Sequence, residues 1–304
     1  MKKKWAVIST WKMSLQGNAR AADLLQSGST AAEAILSGIH CVEDEPSYQS
    51  VGYGGLPDRN GRVLTDAGFM DGDTLSYGAV GALEGFRSPA DIACSLAKRS
   101  ANNFLAGPGA AEYADSHGFE KRNNLTPESY AKYLEEKDKR EHLKAYQEHD
   151  TVCFIGLDSH GTIAVSTSTS GLFLKENGRL GDTPMVGCGF YADSKKGGAA
   201  CTGFGEEIAK GVLAYRVTQL MADGHSAMDA AQKAVDELTA ELIERKGSCE
   251  QLCLICMDKN GNFGAGANSP FPFVYTCEGE EPVLYLIEPG RGLRQVRPED
   301  ITID

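Results

Sequence analysis

Short apolar runs separated by polar turns recur along the chain and predict strands that pair as hairpins. The run Val152–Leu157 is followed by the turn Asp158–Gly161, after which the β-branched segment Thr162–Thr169 returns. The same design recurs over residues 252–267, and a shorter run predicts a first strand over Trp5–Ser9. Tight turns between consecutive runs favour antiparallel pairing, because parallel strands need longer crossover connections.

Helical periodicity alternates with these hairpins. Apolar residues spaced by three and four positions predict helices over 18–27, 30–43, 89–100, 110–117, 206–222 and 227–245. Helix N-caps are predicted at Ser29 or Thr30, at Ser88 and at Thr126. The segment Thr126–Glu148 begins as a helix and is then dominated by charged residues, which predicts a solvated tether. Hairpins combined with helices predict an α+β domain of packed layers with mainly antiparallel sheet.

The composition excludes several classes of function. With 304 residues the chain can bury a sizeable core, and its 42 acidic and 30 basic residues give a net charge of −12. This surplus of acids makes nucleic acid a poor partner, and no apolar run approaches the roughly 18 residues of a membrane helix. The apolar stretch after the first basic residues is too short for a secretory signal. We therefore expect a cytoplasmic protein that binds neither nucleic acid nor membrane.

The nine cysteines and six histidines show no spacing that is typical of a metal site. Cys253 and Cys256 have the CxxC spacing, but they lie in a predicted strand, where positions i and i+3 point to opposite faces. Asp258 begins a loop that superficially resembles a calcium site, yet a hairpin turn is favoured because the sixth position is Phe263. No metal or organic cofactor is expected, and the thiols are predicted to be reduced.

The sharpest junction in the sequence lies at His149-Asp150-Thr151. There the charged segment ends and a buried strand begins, and the first residue of that strand carries a hydroxyl group. Taken alone, Thr151 is most simply a β-forming residue at a strand start. Three polar clusters downstream change this interpretation: the hydroxyl run Ser166–Gly171, the glycine-punctuated loop Asn177–Pro184 and the glycine-rich turn Cys201–Glu207, which opens a predicted helix.

Together and in this order, these clusters resemble the signature of the glycosylasparaginase branch of the N-terminal nucleophile hydrolases. The matching motifs are His149-Asp150-Thr151, Thr169-Ser170-Gly171, Gly178-Arg179-Leu180-Gly181-Asp182-Thr183-Pro184, Thr202-Gly203-Phe204-Gly205-Glu206-Glu207 and, upstream, Ser9-Thr10-Trp11 and Ser50–Asp58. The resemblance covers essentially the whole chain. It implies a four-layer αββα sandwich of the N-terminal nucleophile hydrolase type, formed by one domain over residues 1–304 that cleaves itself into chains 1–150 and 151–304.

The resemblance also implies how the chain processes itself. The Thr151 hydroxyl attacks the carbonyl of Asp150, with Asp150 assisting and His149 positioning it, and water then cleaves the resulting ester. Cleavage frees the α-amine of Thr151, which titrates at roughly 7.7–8.0 and can act as the base for its own hydroxyl. Thr169 is expected to hydrogen-bond the Thr151 amine or hydroxyl.

The remaining site residues are assigned by the same resemblance. Arg179 should pair with the α-carboxylate of a small-molecule substrate and Asp182 with its α-ammonium. The Thr202 hydroxyl and the Gly203 N–H should form the oxyanion hole, and Trp11 should form a wall near the nucleophile. The implied reaction hydrolyses an asparagine side-chain amide to aspartate and either a glycosylamine or ammonia. The family also implies a homodimer of cleaved chains.

Two alternatives remain open. A plant-type asparaginase acting on isoaspartyl peptides shares the fold and nucleophile, but its processing site usually reads Gly-Thr, so His149-Asp150 favours the glycosylasparaginase branch. A non-catalytic, unprocessed family member is disfavoured because four residues of the expected site are intact: Thr151, Arg179, Asp182 and Thr202. Because glycosylated asparagine arises in the secretory pathway, the expected cytoplasmic location leaves the physiological substrate open between glycosylasparagine and other β-aspartyl amides.

Overall fold

Two β-sheets pack face to face at the centre of the structure, and helices cover the outer surface of each sheet. The computed structural model describes residues 3–138 and 151–302, and within these it contains eight α-helices and thirteen strands. The predicted α+β class and the four-layer αββα sandwich are confirmed. The predicted processing residues His149 and Asp150, and the end of the predicted tether, lie outside the described residues.

The strands that build the two sheets are short, and most of them are buried. They are β1 (Ala6–Thr10), β2 (Leu64–Asp71), β3 (Tyr77–Glu84), β4 (Phe104–Ala106), β5 (Val152–Leu157), β6 (Ile163–Thr169), β7 (Phe190–Asp193), β8 (Gly197–Gly203), β9 (Leu252–Asp258), β10 (Phe263–Ala267), β11 (Phe271–Cys277), β12 (Val283–Glu288) and β13 (Gly292–Gln295). In the described ranges, the larger sheet has the order β13-β12-β11-β1-β5-β6-β2-β3-β4 and the smaller sheet the order β10-β9-β8-β7. The predicted hairpins β5–β6 and β9–β10 are both antiparallel, which confirms them.

Helices form the two outer layers. They are α1 (Leu15–Gln26), α2 (Ala31–Glu43), α3 (Pro89–Ala97), α4 (Gly107–Ser116), α5 (Pro127–Glu136), α6 (Gly205–Gly211), α7 (Leu213–Ala222) and α8 (Ala227–Lys246). Helices α1–α4 contact the larger sheet, whereas α7 and α8 contact the smaller one. Thr30 caps α2 in a capping box with Glu33, and Thr126 caps α5, as predicted. Among the described residues, none of the helices combines the length and the apolar character needed to cross a membrane.

The structure differs from the predicted elements at three points. The helix predicted over 206–222 is divided at Val212, whose left-handed backbone (φ 46°, ψ 49°) ends α6 and begins α7. Ser88 also has a left-handed backbone, and its side chain does not cap α3. The segment predicted as a turn from Cys201 instead continues β8 as far as Gly203. This last difference matters for the site, because a side chain on a strand is held more rigidly than one in a loop.

The strand β9 shows why the CxxC motif is a packing feature. Cys253 lies in the core between the two sheets, whereas Cys256 packs beneath α8 and its thiol donates to Ala227 O at 3.2 Å. The two thiols therefore point to opposite faces, as the strand prediction required. Burial raises the pKa of the Cys256 thiol, which keeps it protonated and unreactive at neutral pH.

Candidate active site

The ends of three strands bring together residues that are far apart in the sequence. Because β1 runs antiparallel to β5, the end of β1 lies beside the start of β5. The strand β8 faces them from the smaller sheet. Trp11 directly follows β1, Thr151 directly precedes β5 and Thr202 is near the end of β8, and all three side chains are buried. The predicted nucleophile therefore lies between the two sheets, at one end of the sandwich.

Thr151 is held at three of its atoms. Its backbone N–H donates to Thr202 Oγ1 at 3.0 Å, and its own Oγ1 lies 3.2 Å from Thr183 Oγ1. Its carbonyl accepts from the Thr10 hydroxyl at 2.8 Å, and Thr10 Oγ1 in turn accepts from Cys153 N at 2.9 Å. The backbone of Thr151 is thus fixed by β1 and β8, while its hydroxyl faces a second hydroxyl rather than a carbonyl.

Trp11 and Thr202 form the wall behind the Thr151 nitrogen. The Trp11 indole N–H donates to Thr202 Oγ1 at 3.0 Å, and the indole packs edge-on against Phe271, with ring centroids 4.9 Å apart. Trp11 has φ 66° and ψ 159°, a conformation that costs a non-glycine residue about 1–3 kcal/mol. Because Thr202 Oγ1 accepts two N–H groups, its own hydrogen remains available to donate into the site.

Two further predicted residues lie close to this cluster but have other partners in the structure. Thr169 ends β6, one position beyond the pair Val152–Ser168, and its hydroxyl donates to Ser50 O at 3.2 Å and accepts from Gly171 N at 3.0 Å. The expected hydrogen bond from Thr169 to Thr151 therefore stays a prediction. Gly203 follows Thr202 at the end of β8 with φ 122°, which favours glycine, and a Cβ there would lie 2.4 Å from Gln251 O.

Arg179 and Asp182 lie in the loop between β6 and β7. The Arg179 guanidinium donates from Nε to Glu206 Oε1 at 2.9 Å and from Nη2 to Glu206 Oε2 at 2.6 Å. It packs over Gly181, where a Cβ would come within 3.1 Å of Nη1. The two predicted substrate-reading residues are therefore separated by a glycine that lets the guanidinium approach the backbone beside Asp182.

The Asp182 carboxylate is enclosed and incompletely hydrogen-bonded. A Cβ on Gly205 would lie 2.8 Å from Oδ1 and a Cβ on Gly189 would lie 3.1 Å from Oδ2, so two glycine backbones border the carboxylate. Its Oδ2 is buried and has no hydrogen-bond partner among the described residues. Burial raises the pKa of Asp182 to about 7, against the opposing effect of the Arg179 charge. A buried carboxylate oxygen without a partner is suited to receive a cationic group.

Similarity to known proteins extends over nearly the whole fold. A family model described as asparaginase matches residues 9–285, which include every site residue described above. The chain belongs to the asparaginase family. An N(4)-(β-N-acetylglucosaminyl)-L-asparaginase of Elizabethkingia miricola is 37% identical over 85% of this chain and 77% of its own length. Two Mus musculus proteins also match: an isoaspartyl peptidase/L-asparaginase is 34% identical over 94% of this chain and 87% of its own length, and an N(4)-(β-N-acetylglucosaminyl)-L-asparaginase is 28% identical over 86% and 84%.

Membership of the asparaginase family makes the chain an amidohydrolase of the asparaginase type. The relationship that the sequence motifs indicated is thereby confirmed. The relatives carry two different names, and the identity of the isoaspartyl peptidase lies between those of the two glycosylasparaginases. Identity alone therefore does not separate the two activities for this chain.

Three residues of the asparaginase-family motifs were given no role from the sequence, although the structure places them at the site. Thr10 and Thr183 hydrogen-bond Thr151, and Ser50 O accepts from the Thr169 hydroxyl. A signal for Thr183 was present, because it carries a hydroxyl within the motif Gly178–Pro184, directly after Asp182. The contacts of Thr10 and Ser50 required the fold, since both residues are more than 100 positions away from their partners.

The raised pKa of Asp182 predicts a stability change with pH. The unfolded carboxyl ionises near the ordinary aspartate pKa of 3.8, whereas burial raises the pKa of the folded one to about 7. Between these values the unfolded state binds fewer protons, so the stability that Asp182 contributes is complete below the lower value and is lost as the pH rises to about 7. Asp182→Asn should remove this loss. The free energy of unfolding of the variant minus that of its parent should therefore be up to about 4 kcal/mol larger at pH 8 than at pH 4.

The measurement is urea unfolding at pH 4, 6 and 8 in a Thr151→Ala parent, which is expected to stay one chain and so to unfold in one transition. Burial also raises the pKa of Glu43 to about 7, so the difference between the two proteins, rather than either curve, reports Asp182. Asp23→Asn, on the exposed face of α1, removes the same charge and serves as the control. The assignment fails if Asp182→Asn and its parent lose stability in parallel.

Proposed function

We propose that the chain is an autoprocessed glycosylasparaginase, which hydrolyses the side-chain amide of N4-glycosylated asparagine through an acyl-enzyme on Thr151. The observation that carries this proposal is the position of Thr151 at the start of β5. Its hydroxyl lies 3.2 Å from Thr183 Oγ1 and its nitrogen 3.0 Å from Thr202 Oγ1, between the two sheets. Cleavage of the peptide bond before Thr151 would leave an amine and a hydroxyl on one residue, and both atoms already have a hydrogen-bond partner.

In the proposed processing step, the Thr151 hydroxyl oxygen attacks the carbonyl carbon of Asp150. The peptide C–N bond breaks as an ester C–O bond forms, and the proton that the hydroxyl loses passes to the Thr151 nitrogen, whose N–H becomes a free amine. Water then hydrolyses the ester and leaves a carboxylate on Asp150. Thr10 supports this step because its hydroxyl holds the Thr151 carbonyl at 2.8 Å, which limits rotation of the reacting residue.

In the proposed turnover, the Thr151 amine takes the proton of the Thr151 hydroxyl as the oxygen attacks the substrate's side-chain carbonyl. The developing oxyanion is stabilised by the hydrogen of the Thr202 hydroxyl and by the Gly203 N–H. The glycosylamine leaves with the proton, and water hydrolyses the ester to release aspartate. Trp11 supports the oxyanion donor, because its indole N–H occupies one acceptor position of Thr202 Oγ1 and orients the hydroxyl.

Recognition of the substrate is assigned to Arg179 and Asp182. The free Oδ2 of Asp182 would accept the α-ammonium group, whose positive charge would also lower the pKa of the carboxyl toward its ordinary value. The guanidinium of Arg179 would receive the α-carboxylate. A substrate that carries both groups is a free amino acid, so the site favours asparagine derivatives over asparagine inside a polypeptide.

The second candidate is an isoaspartyl peptidase/L-asparaginase, which the Mus musculus relative at 34% identity supports. Both candidates share the nucleophile and the binding of the α-groups, and they differ in the leaving group. His149-Asp150 before Thr151 and the 37% identical relative favour the glycosylated leaving group.

A direct comparison of two substrates separates these candidates. We expect the processed protein to release aspartate from N4-(β-N-acetylglucosaminyl)-L-asparagine with a kcat/KM at least about tenfold above that for a β-aspartyl dipeptide, a difference of about 1.4 kcal/mol. Aspartate release is followed by a coupled assay, with the Thr151→Ala protein prepared in the same way as the control for contaminating host enzymes. Preference for the dipeptide would assign the isoaspartyl activity, and no release from either substrate would leave the non-catalytic alternative.

A further inference from the structure

We infer that Glu206 is a positioning residue, which fixes the Arg179 guanidinium so that its outer edge can bind the α-carboxylate of the substrate. The inference rests on the proposed function, because it concerns how the same site binds an amino acid. Among the described residues, Glu206 is the one hydrogen-bond acceptor of the Arg179 side chain.

A guanidinium carries five N–H donors arranged around a plane. Glu206 takes the N–H of Nε and one N–H of Nη2, in a parallel, two-bonded arrangement along the side of the group. The two donors of Nη1 and the second donor of Nη2 are left. One donor from each terminal nitrogen forms the end-on edge, which matches a second carboxylate. Arg179 can therefore bind Glu206 and a substrate carboxylate at the same time.

The backbone segment that carries Glu206 is fixed by contacts of the residues on either side of it. It is in the first turn of α6, next to Glu207, whose carboxylate is buried, accepts from Glu250 N at 2.9 Å and pairs with Lys246. Phe204 N, on the other side, donates to Gln251 O at 2.8 Å. This short segment is thus attached to the chain after α8, and the Glu206 carboxylate has a fixed base from which to orient Arg179.

Exposure distinguishes this pair from an ordinary surface ion pair. The Arg179 side chain is only 16% exposed, whereas that of Glu206 is 43% exposed. Burial opposes ionisation of Glu206, but the hydrogen bonds and charge of Arg179 outweigh it and lower its pKa, so Glu206 is charged at neutral pH. An ionised Glu206 reduces the attraction of Arg179 for an anion, so the benefit of the pair to binding is orientation and not added charge.

The test compares Glu206→Ala and Glu206→Gln with Glu237→Ala. Glu237 is 42% exposed and pairs with Arg216 on the helices α7 and α8, so it matches Glu206 in exposure and partner but is not part of the site. We expect Glu206→Ala to raise both the KM for glucosaminyl-asparagine and the Kd for L-aspartate about tenfold, with kcat changed less than about threefold. Glu206→Gln keeps one acceptor for Arg179, so its KM and Kd should lie between those of the parent and those of Glu206→Ala. Glu237→Ala should have the same KM and Kd as the parent.

A substrate in which the α-carboxylate is replaced by a carboxamide gives the readout that a purely structural role would not move. The kcat/KM ratio between parent and Glu206→Ala should fall from about tenfold to near one for this substrate, because there is no carboxylate left to orient. A ratio that stays the same for both substrates would overturn the inference. So would tighter aspartate binding by Glu206→Gln, which would show that Glu206 competes with the ligand for Arg179.

The inference and the proposed function fail in different ways. If the parent protein turns over neither amide, the proposed function is rejected, and calorimetric titration with L-aspartate alone decides on Glu206. Weaker aspartate binding by Glu206→Ala than by the parent would then still support positioning of Arg179. Equal affinities, or no binding to either protein, would overturn it.

Discussion

Thr151→Ala is expected to leave one uncut polypeptide that releases no aspartate from any asparagine side-chain amide. The substitution removes the hydroxyl that is proposed both to attack the preceding carbonyl and to carry the acyl group. It also prevents the α-amine from being freed, so the base is lost together with the nucleophile. Turnover should fall by at least about 10⁴-fold, as for other enzymes that lose their nucleophile.

Denaturing gel electrophoresis measures the cleavage. The unsubstituted protein should give two fragments, and N-terminal sequencing should find Thr151 as the first residue of one of them. Thr162→Ala is the matched control, because Thr162 lies near the start of β6 and its hydroxyl donates to Asp73, which is not part of the site. Thr151→Ser keeps a hydroxyl and should retain some cleavage. Two fragments from Thr151→Ala, or turnover by it, would show that another residue is the nucleophile.

Thr202→Val is expected to lower kcat by about 10²–10³-fold in the processed protein. Valine keeps the shape of threonine but removes the donor to the proposed oxyanion. It also removes the acceptor of two buried N–H groups, those of Thr151 and the Trp11 indole. Each unsatisfied group costs about 1–3 kcal/mol, so a loss of stability should accompany the loss of rate.

Two controls separate the effect on rate from the effect on stability. Thr218→Val, in α7, also removes a fully buried hydroxyl that donates to a backbone carbonyl, and it should cost stability without changing kcat. Thr202→Ser retains the hydroxyl and should recover most of the rate. If Thr202→Val turned over within about threefold of the parent, the Thr202 hydroxyl would not be an oxyanion donor.

The hairpin β5–β6 was predictable because its information is local. An uninterrupted apolar run, a turn and a β-branched return specify both strands without reference to the rest of the chain. The strand β8 was not predictable, since Gly197–Gly203 consists mainly of glycine and alanine. These small residues are explained only by the other sheet: a Cβ on Gly198 would lie 2.9 Å from Val165.

The helix break at Val212 was also hidden in the sequence. Valine rarely adopts a left-handed backbone, and the apolar spacing continues across it. Local patterns therefore support one long helix, and only tertiary contacts, such as Ala214 N with Cys188 O at 3.2 Å, identify two. Propensity is a weak guide where packing decides the backbone.

In the candidate site, too, the residue types were predictable from the sequence, whereas the contacts between them were not. The motifs identified Thr151, Thr202 and Arg179 by residue type and order, because the proposed chemistry needs a hydroxyl, a donor and a cation. They could not show that Thr202 accepts from Thr151 N and from the Trp11 indole, or that Glu206 occupies one edge of Arg179. Such contacts join residues from several elements, and they depend on how the two sheets are stacked.

The strand order of the larger sheet would keep the two chains together after a cut before Thr151. Both neighbours of β1, which are β11 and β5, come from the second half of the sequence, and β2 is bonded to β6 from that half as well. Strands from the two halves alternate within this sheet, so the halves are not separate units joined by an interface. Neither half, made alone from its own gene, would have partners for all its central strands, so a two-gene version of the protein should assemble only when both pieces are synthesised together.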